Sequence, residues 1–232
     1  MKKIVKYSTV CTIIVLIFGG FVTYVLLKPP TLEQLFNRAT NHVVEVKAQK
    51  ENDIRVFGSA VLLDNSGQFV TNAHVVTFVQ MGVVKQFDEY FVRFSFEANY
   101  REVSLVKFDR DIDLALLQIV DMPSFRLQAV EISNNTIRSG QTVFAVGNSL
   151  NHGVAISQGL VSLPLVRIEY EGSLKEVIQA SITITEGNSG GALLDNRGRL
   201  IGITTFRLRD SMGVPIFGMV YCVPVGAVLG FK

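Results

Sequence analysis

Three short segments carry the residue types that nucleophilic acyl transfer requires. Thr71-Asn72-Ala73-His74-Val75-Val76 sets a histidine at the end of a strand-like run. Asp111-Ile112-Asp113-Leu114-Ala115-Leu116-Leu117 sets a carboxylate at the entry to an apolar run, with Asp109 close by. Gly187-Asn188-Ser189-Gly190-Gly191 sets a serine among glycines. A serine hydroxyl is a poor nucleophile at neutral pH and needs a base within hydrogen-bond reach. A histidine titrates near neutrality, so it can take that proton and later hand it to a leaving amine. A buried carboxylate then holds the imidazole tautomer and stabilises the imidazolium. Glycines beside the serine let the backbone turn sharply and let a substrate come close. The turn Gly187-Asn188-Ser189 would form an oxyanion hole, with the N–H groups of Gly187 and Ser189 as donors. One such donor lowers the barrier by roughly 3 kcal/mol.

The elements that must position these groups are strands. Val44, Val46 and Ala48 alternate with Glu45 and Lys47, the period of a half-buried strand. Further strands are predicted at Val56–Leu63, Gln68–Thr71, Tyr90–Phe96, Arg101–Phe108, Leu114–Ile119, Thr142–Val146, Ala155–Leu163, Leu193–Leu194, Leu200–Thr205 and Gly218–Val223. Asp64-Asn65-Ser66-Gly67 and Asn196-Arg197-Gly198 have turn chemistry between such runs. Ahead of them a short helix is expected. Thr31 is its N-cap, Gln34 the capping-box partner, and Leu32, Leu35, Phe36 and Ala39 its apolar face. No long amphipathic helix and no internal repeat interrupts the series, so the class is all-β, sandwich or barrel.

Composition adds a membrane and removes other partners. The 232 residues are 48% hydrophobic, the mean hydropathy is +0.34, and much of the excess sits at the start of the chain. Residues 7–27 carry no charge. As a helix they span about 30 Å, the hydrocarbon thickness of a bilayer. Lys2, Lys3 and Lys6 precede this run, Lys28-Pro29-Pro30 stops it, and no A-x-A-like cleavage site marks its end. The expectation is an uncleaved transmembrane signal anchor at residues 7–28, with residues 1–6 cytoplasmic and the body periplasmic or extracellular. A cleaved signal peptide is the rival reading. The net charge of +2 and the lack of a basic run give no reason to expect nucleic acid. Cys11 and Cys222 make no disulfide framework. The sequence has no metal-ligand cluster or nucleotide loop, so no metal and no cofactor is implied.

The order His, Asp, Ser is that of the chymotrypsin triad, and further stretches resemble the HtrA/Deg family of trypsin-like serine proteases. These are Phe57-Gly58-Ser59-Ala60 with Val61-Leu62-Leu63-Asp64, and Val143–Asn148 followed by Ser157-Gln158-Gly159-Leu160-Val161-Ser162. Ile178-Gln179, Gly187–Gly191, Leu200-Ile201-Gly202-Ile203 and Val223-Pro224 complete the series, so the likeness runs from about residue 43 to 226. The resemblance implies an all-β fold of two β-barrels of chymotrypsin/trypsin type, here preceded by the N-terminal transmembrane helix. The protease domain would span residues 31–232, with the first barrel at 43–125 and the second at 126–232. His74, Asp113 and Ser189 would be the catalytic triad. Asp113 is preferred over Asp109 and Asp111 because it directly precedes Leu114-Ala115-Leu116, as the family's acid precedes its strand. His42 and His152 read as surface or loop histidines, Ser149 and Ser157 lack the glycine setting, and Cys222 reads as a small core residue.

The chain departs from the family pattern in places. Ala180-Ser181 stands where the family has Thr-Asp, and Thr185-Glu186 stands where it has Asn-Pro, both flanking the oxyanion loop. The sequence stops soon after Val223-Pro224, so the expectation is a chain without the PDZ domain that many members carry, with regulation through loops or assembly. The resemblance places Thr183 at the base of the substrate pocket and Thr204, Thr205 and Phe206 on its walls. These residues carry no charge, which suits an aliphatic or other uncharged P1 side chain. Phe78, Phe87, Tyr90, Phe91, Phe94, Phe96 and Tyr100 form an aromatic stretch read as barrel core, with a subunit or membrane-facing surface as the alternative. The expected function is a membrane-anchored serine endopeptidase acting on extracytoplasmic, unfolded or signalling polypeptides through an acyl-enzyme. Homotrimeric assembly is the partner expectation that the resemblance carries. The alternative is a latent enzyme, or a non-enzymatic chaperone or scaffold on a protease fold.

Overall fold

The computed structural model describes residues 29–50, 54–170, 172–208, 210–216 and 218–232. The expected cytoplasmic segment 1–6 and anchor 7–28 lie outside the described residues, among which no helix is long and apolar enough to cross a membrane. Contacts divide the chain into Met1–Thr31 and Leu32–Lys232, and the second unit carries every element below.

Helix α1 (Leu32–Ala39) leads into strands β1 (Val43–Lys50), β2 (Ile54–Leu62) and β3 (Gln68–Thr71). The one-turn helix α2 (Ala73–Val76) and the hairpin of β4 (Thr77–Gln80) and β5 (Val83–Gln86) follow. β6 (Glu89–Arg93), β7 (Arg101–Asp109) and β8 (Leu114–Ile119) then close a barrel in the order β1-β2-β3-β8-β7-β6. After a connection come β9 (Thr142–Asn148), β10 (Val154–Tyr170), β11 (Ser173–Ser181), β12 (Ala192–Leu194), β13 (Leu200–Phe206) and β14 (Val220–Pro224). They close a second barrel in the order β10-β11-β14-β13-β12-β9, and α3 (Val225–Phe231) ends the chain.

The two-residue period explains which strands alternate and which are apolar throughout. On β8, Ala115, Leu117 and Ile119 fill the first barrel, while Leu114 and Leu116 join a cluster outside it. On β9, Val143 and Ala145 fill the second barrel, while Phe144 and Val146 join that same outer cluster. The outer cluster also takes Val43 and Val61 from one barrel, Leu194 and Val223 from the other, Leu35 and Ala39 from α1, and Val228 from α3. It is the seam between the barrels. Strands that face it are buried on both sides and therefore lose the polar half of their pattern.

Several expectations are corrected. Of the predicted face of α1, Leu35 and Ala39 are buried but Leu32 is 44% exposed. β10 runs on to Tyr170 instead of stopping near Leu163. Pro164 falls in the register shift between Leu163 and Val166, where the ladder is already irregular and a missing N–H is tolerated. β11 was absent from the predicted strands because Lys175 occupies a buried position and hides the period. His42 is buried, not superficial: it lies between α1 and β1, and its carbonyl accepts the Leu62 N–H. Of the aromatic stretch, Phe87, Tyr90 and Phe94 are core and Phe96 is exposed. Cys222 is buried, and burial pushes its thiol pKa up, away from reactivity.

Candidate active site

His74 belongs to α2, the single turn that follows β3. Its neighbours Ala73, Val75 and Val76 are buried, which anchors the turn and leaves the imidazole half-exposed at the surface of the first barrel. Asp113 enters β8 from a turn in which the Asp109 carboxylate accepts the N–H groups of Asp111 (2.7 Å) and Ile112 (3.3 Å). Asp109 is thereby a turn residue. Asp113 itself has φ +54, a left-handed conformation that short polar side chains tolerate best.

That conformation is held from two sides. Asn72 Nδ2 donates to the Asp113 carbonyl (2.8 Å) and to Thr205 Oγ1 (3.1 Å). Lys175 Nζ reaches across from β11 to donate to the carbonyls of Arg110 (2.9 Å) and Asp111 (2.8 Å). The Asp113 carboxylate is consequently aimed at His74. Oδ1 accepts the His74 backbone N–H at 3.0 Å, and Oδ2 lies 2.8 Å from Nδ1. With Nδ1–H donating to this carboxylate, Nε2 carries the lone pair and can act as a base.

Ser189 lies in the loop between β11 and β12, and its Oγ donates to the Thr205 carbonyl at 3.0 Å. The loop's backbone groups can be followed one peptide at a time. The Glu186 carbonyl accepts the Leu150 N–H (2.8 Å), and the Gly187 carbonyl accepts Ser59 Oγ (2.7 Å). The Asn188 carbonyl accepts the Gly191 N–H (2.9 Å) and the Thr204 hydroxyl, and the Ser189 carbonyl accepts the Ser59 N–H (2.8 Å). The Asn188 N–H turns back to the Thr185 carbonyl (3.2 Å), and the Gly190 N–H goes to the Thr204 carbonyl (2.8 Å). The N–H groups of Gly187 and Ser189 remain, and among the described residues neither donates to a protein acceptor. Two unclaimed donors beside a serine suit an oxyanion. Asn188, expected with them, directs its own N–H elsewhere.

Glycine is required at two places in this loop. Gly187 has φ +90, and a Cβ there would stand 2.2 Å from the Asn148 carbonyl oxygen. Gly190 has φ +84, and a Cβ there would stand 2.1 Å from the Ser59 oxygen. Either contact is impossible for a real side chain.

His74, Asp113 and Ser189 line one cleft of about 260 Å³ together with Thr205, Phe206, Ile184 and Arg207. The Phe206 ring stacks on Tyr170 at 3.9 Å. Two predicted pocket residues are elsewhere. Thr183 is exposed and does not line the cleft; its carbonyl accepts Ser157 Oγ (2.6 Å), and Ile184 takes the lining position. The Thr204 side chain is buried under the serine loop, holding the Asn188 carbonyl instead of forming a wall. Ser59, Asn72 and Lys175 were given no role by sequence reasoning. Only Lys175 left a signal, a lysine inside an otherwise half-apolar run. Among the described residues no group of His, Cys, Asp and Glu is placed to hold a metal.

The trypsin-like peptidase domain family model matches residues 58–203. The chain is 30% identical over 198 residues to the serine endoprotease DegS of Salmonella typhimurium (strain 14028s / SGSC 2262), covering 84% of this chain and 51% of that protein. It is 30% identical over 186 residues to the serine endoprotease DegS of Escherichia coli (strain K12), covering 78% and 47%. Among solved structures, the HtrA-type protease AlgW with tripeptide superposes with a TM-score of 0.71 at 28% identity, covering 87% of this chain and 62% of that one. The chain thus spans about half the length of the curated relatives it matches.

Proposed function

Because the chain belongs to the trypsin-like peptidase domain family, we propose that it is a serine endopeptidase in which Ser189 is the nucleophile, His74 the general base and Asp113 the orienting acid. The observation that carries this reading is the convergence, on one cleft, of a 2.8 Å His74–Asp113 pair, the Ser189 hydroxyl and two N–H groups with no protein acceptor. Ser189 Oγ first rotates from the Thr205 carbonyl towards His74 Nε2, a side-chain rotamer change. Nε2 takes the proton as Oγ attacks the substrate carbonyl carbon. The carbonyl oxygen becomes an oxyanion between the N–H groups of Gly187 and Ser189. His74 then protonates the leaving amine, the C–N bond breaks, and an acyl-enzyme remains. Water repeats the sequence, with His74 as base and then acid, and frees Ser189.

The substrate belongs to the same proposal. The cleft takes an extended polypeptide beside Phe206, with an uncharged P1 side chain against Ile184 and Phe206. Unfolded or signalling proteins outside the cytoplasm are the proposed class. The uncharged run at residues 7–27 and the lysines before it support membrane anchoring and an extracytoplasmic body. Homotrimeric assembly is likewise proposed.

The test incubates the full 232-residue chain, in detergent, with casein beside its Ser189→Ala variant. The parent is expected to cleave and the variant to lose cleavage to background. Equal cleavage by both, or labelling of the variant by a serine-directed phosphonate, would remove Ser189 from the mechanism. Mapping the cut sites reads the P1 preference.

A further inference from the structure

The serine loop is held from the opposite barrel by one buried side chain, Ser59 of β2. Ser59 is wholly buried and belongs to neither the base nor the nucleophile. Its backbone N–H donates to the Ser189 carbonyl at 2.8 Å. Its hydroxyl donates to the Gly187 carbonyl at 2.7 Å and accepts the Asn148 N–H, also at 2.7 Å. Its own carbonyl accepts Thr71 Oγ1 at 2.7 Å, three residues before His74. Every polar group of Ser59 is therefore engaged, and each engages the catalytic segments or the β9 terminus beside them.

The consequence follows from peptide geometry. In a trans peptide the C=O and the N–H point in opposite directions. Fixing the carbonyls of Glu186 and Asn188 therefore fixes where the N–H groups of Gly187 and Ser189 point. The Gly187 carbonyl lies between these two peptides, and its partner is the Ser59 hydroxyl. The Glu186 carbonyl is held by Leu150, two residues beyond the Asn148 N–H that the same hydroxyl accepts. The space is shaped for this residue. A Cβ on Gly147 would come within 2.8 Å of Ser59 Oγ, and one on Gly190 within 2.1 Å of the Ser59 carbonyl oxygen.

We infer that Ser59 is a positioning residue that sets the oxyanion-binding geometry: its hydroxyl, supplied by the first barrel, keeps the Gly187 and Ser189 N–H groups aimed into the cleft. Removing it orphans two groups at once, the partly buried Gly187 carbonyl and the buried Asn148 N–H. The loop then relaxes by turning a peptide towards the cleft. This inference rests on the proposed acyl-transfer reading of the site.

The experiment compares the full chain with Ser59→Ala and with Val46→Ala, a variant whose side chain fills the core of the same barrel. Thermal unfolding of all three is measured first, and work proceeds well below the lowest midpoint. The readouts are the rate of phosphonate labelling at Ser189, kcat and KM on a peptide cut from casein, and amide exchange of segment 186–190. Ser59→Ala is expected to lower kcat and the labelling rate by about 10-fold to 100-fold, somewhat less than loss of an oxyanion donor itself. KM should change little, and exchange in segment 186–190 should accelerate. Val46→Ala, though destabilised, should label at the parent rate. Parent-like labelling and kcat in Ser59→Ala overturn the inference alone. An equal loss in Val46→Ala also overturns it, by making the effect one of stability. A parent that neither cleaves nor labels overturns the acyl-transfer reading and the inference with it.

Discussion

At the scale of single residues, the site depends on which proton sits where. Asp113 accepts both the backbone N–H and the Nδ1–H of His74, so the carboxylate selects the tautomer in which Nε2 carries the lone pair. Asp113→Asn keeps the shape but offers an amide in place of a carboxylate, which favours the wrong tautomer. We expect kcat to fall by about 10⁴-fold with KM nearly unchanged, read from initial rates on a peptide substrate. A fall of less than ten-fold would give the acid role to another group. Ser189 and Asn188 illustrate a second point: neighbours in one loop have N–H groups with different fates, one unclaimed and one bonded to Thr185.

At the scale of elements, loops carry the chemistry and strands carry the loops. The Asp113 turn is attached to the first barrel, yet β11 of the second barrel holds it through Lys175, whose ammonium caps two carbonyls of the turn. Hydrogen bonds to a charged donor contribute about 1.5–3 kcal/mol. Lys175→Met, similar in length and without the charge, is expected to lose about that much stability in urea unfolding. It should also lower kcat/KM, because the φ +54 conformation of Asp113 loses one of its two supports. Full stability with reduced kcat/KM would instead mean that Lys175 acts on substrate directly. The β2 strand makes the complementary tie through Ser59, so each barrel holds part of the other's share of the site.

At the scale of the whole molecule, the seam between the barrels is apolar, and the polar ties lie at its cleft end. α1 packs its Leu35 and Ala39 into that seam. The buried His42 follows α1, and its Nε2 has no hydrogen-bond partner among the described residues. Burial lowers the His42 pKa from 6.5 to about 4. The unfolded chain therefore binds this proton more readily than the folded one. Stability is full above pH 6.5 and is lost as pH falls towards about 4. Between pH 6.5 and 4.5 the parent should lose about 2 kcal/mol more than His42→Leu, as measured by urea midpoints at each pH. Parallel pH profiles for the two proteins would exclude His42 as the titrating group.

The sequence by itself determined the residue types of the site and most of the elements that carry it. Period-two alternation located β1, and turn chemistry bounded β3 at its N-terminal end. The apolar run after Asp113 marked β8, and the glycines at 187 and 190 announced a loop that no side chain fits. These are local signals, written within a few residues of where they act. Only the tertiary structure decided which N–H groups of the loop stay unclaimed, that Ser59 and Lys175 support it from the opposite barrel, and that Thr183 faces away from the cleft. The physical reason is separation along the chain. Ser59 and Gly187 are 128 residues apart and Lys175 and Arg110 are 65 apart. Such pairings follow from how two closed barrels meet across the seam, and no local pattern encodes them.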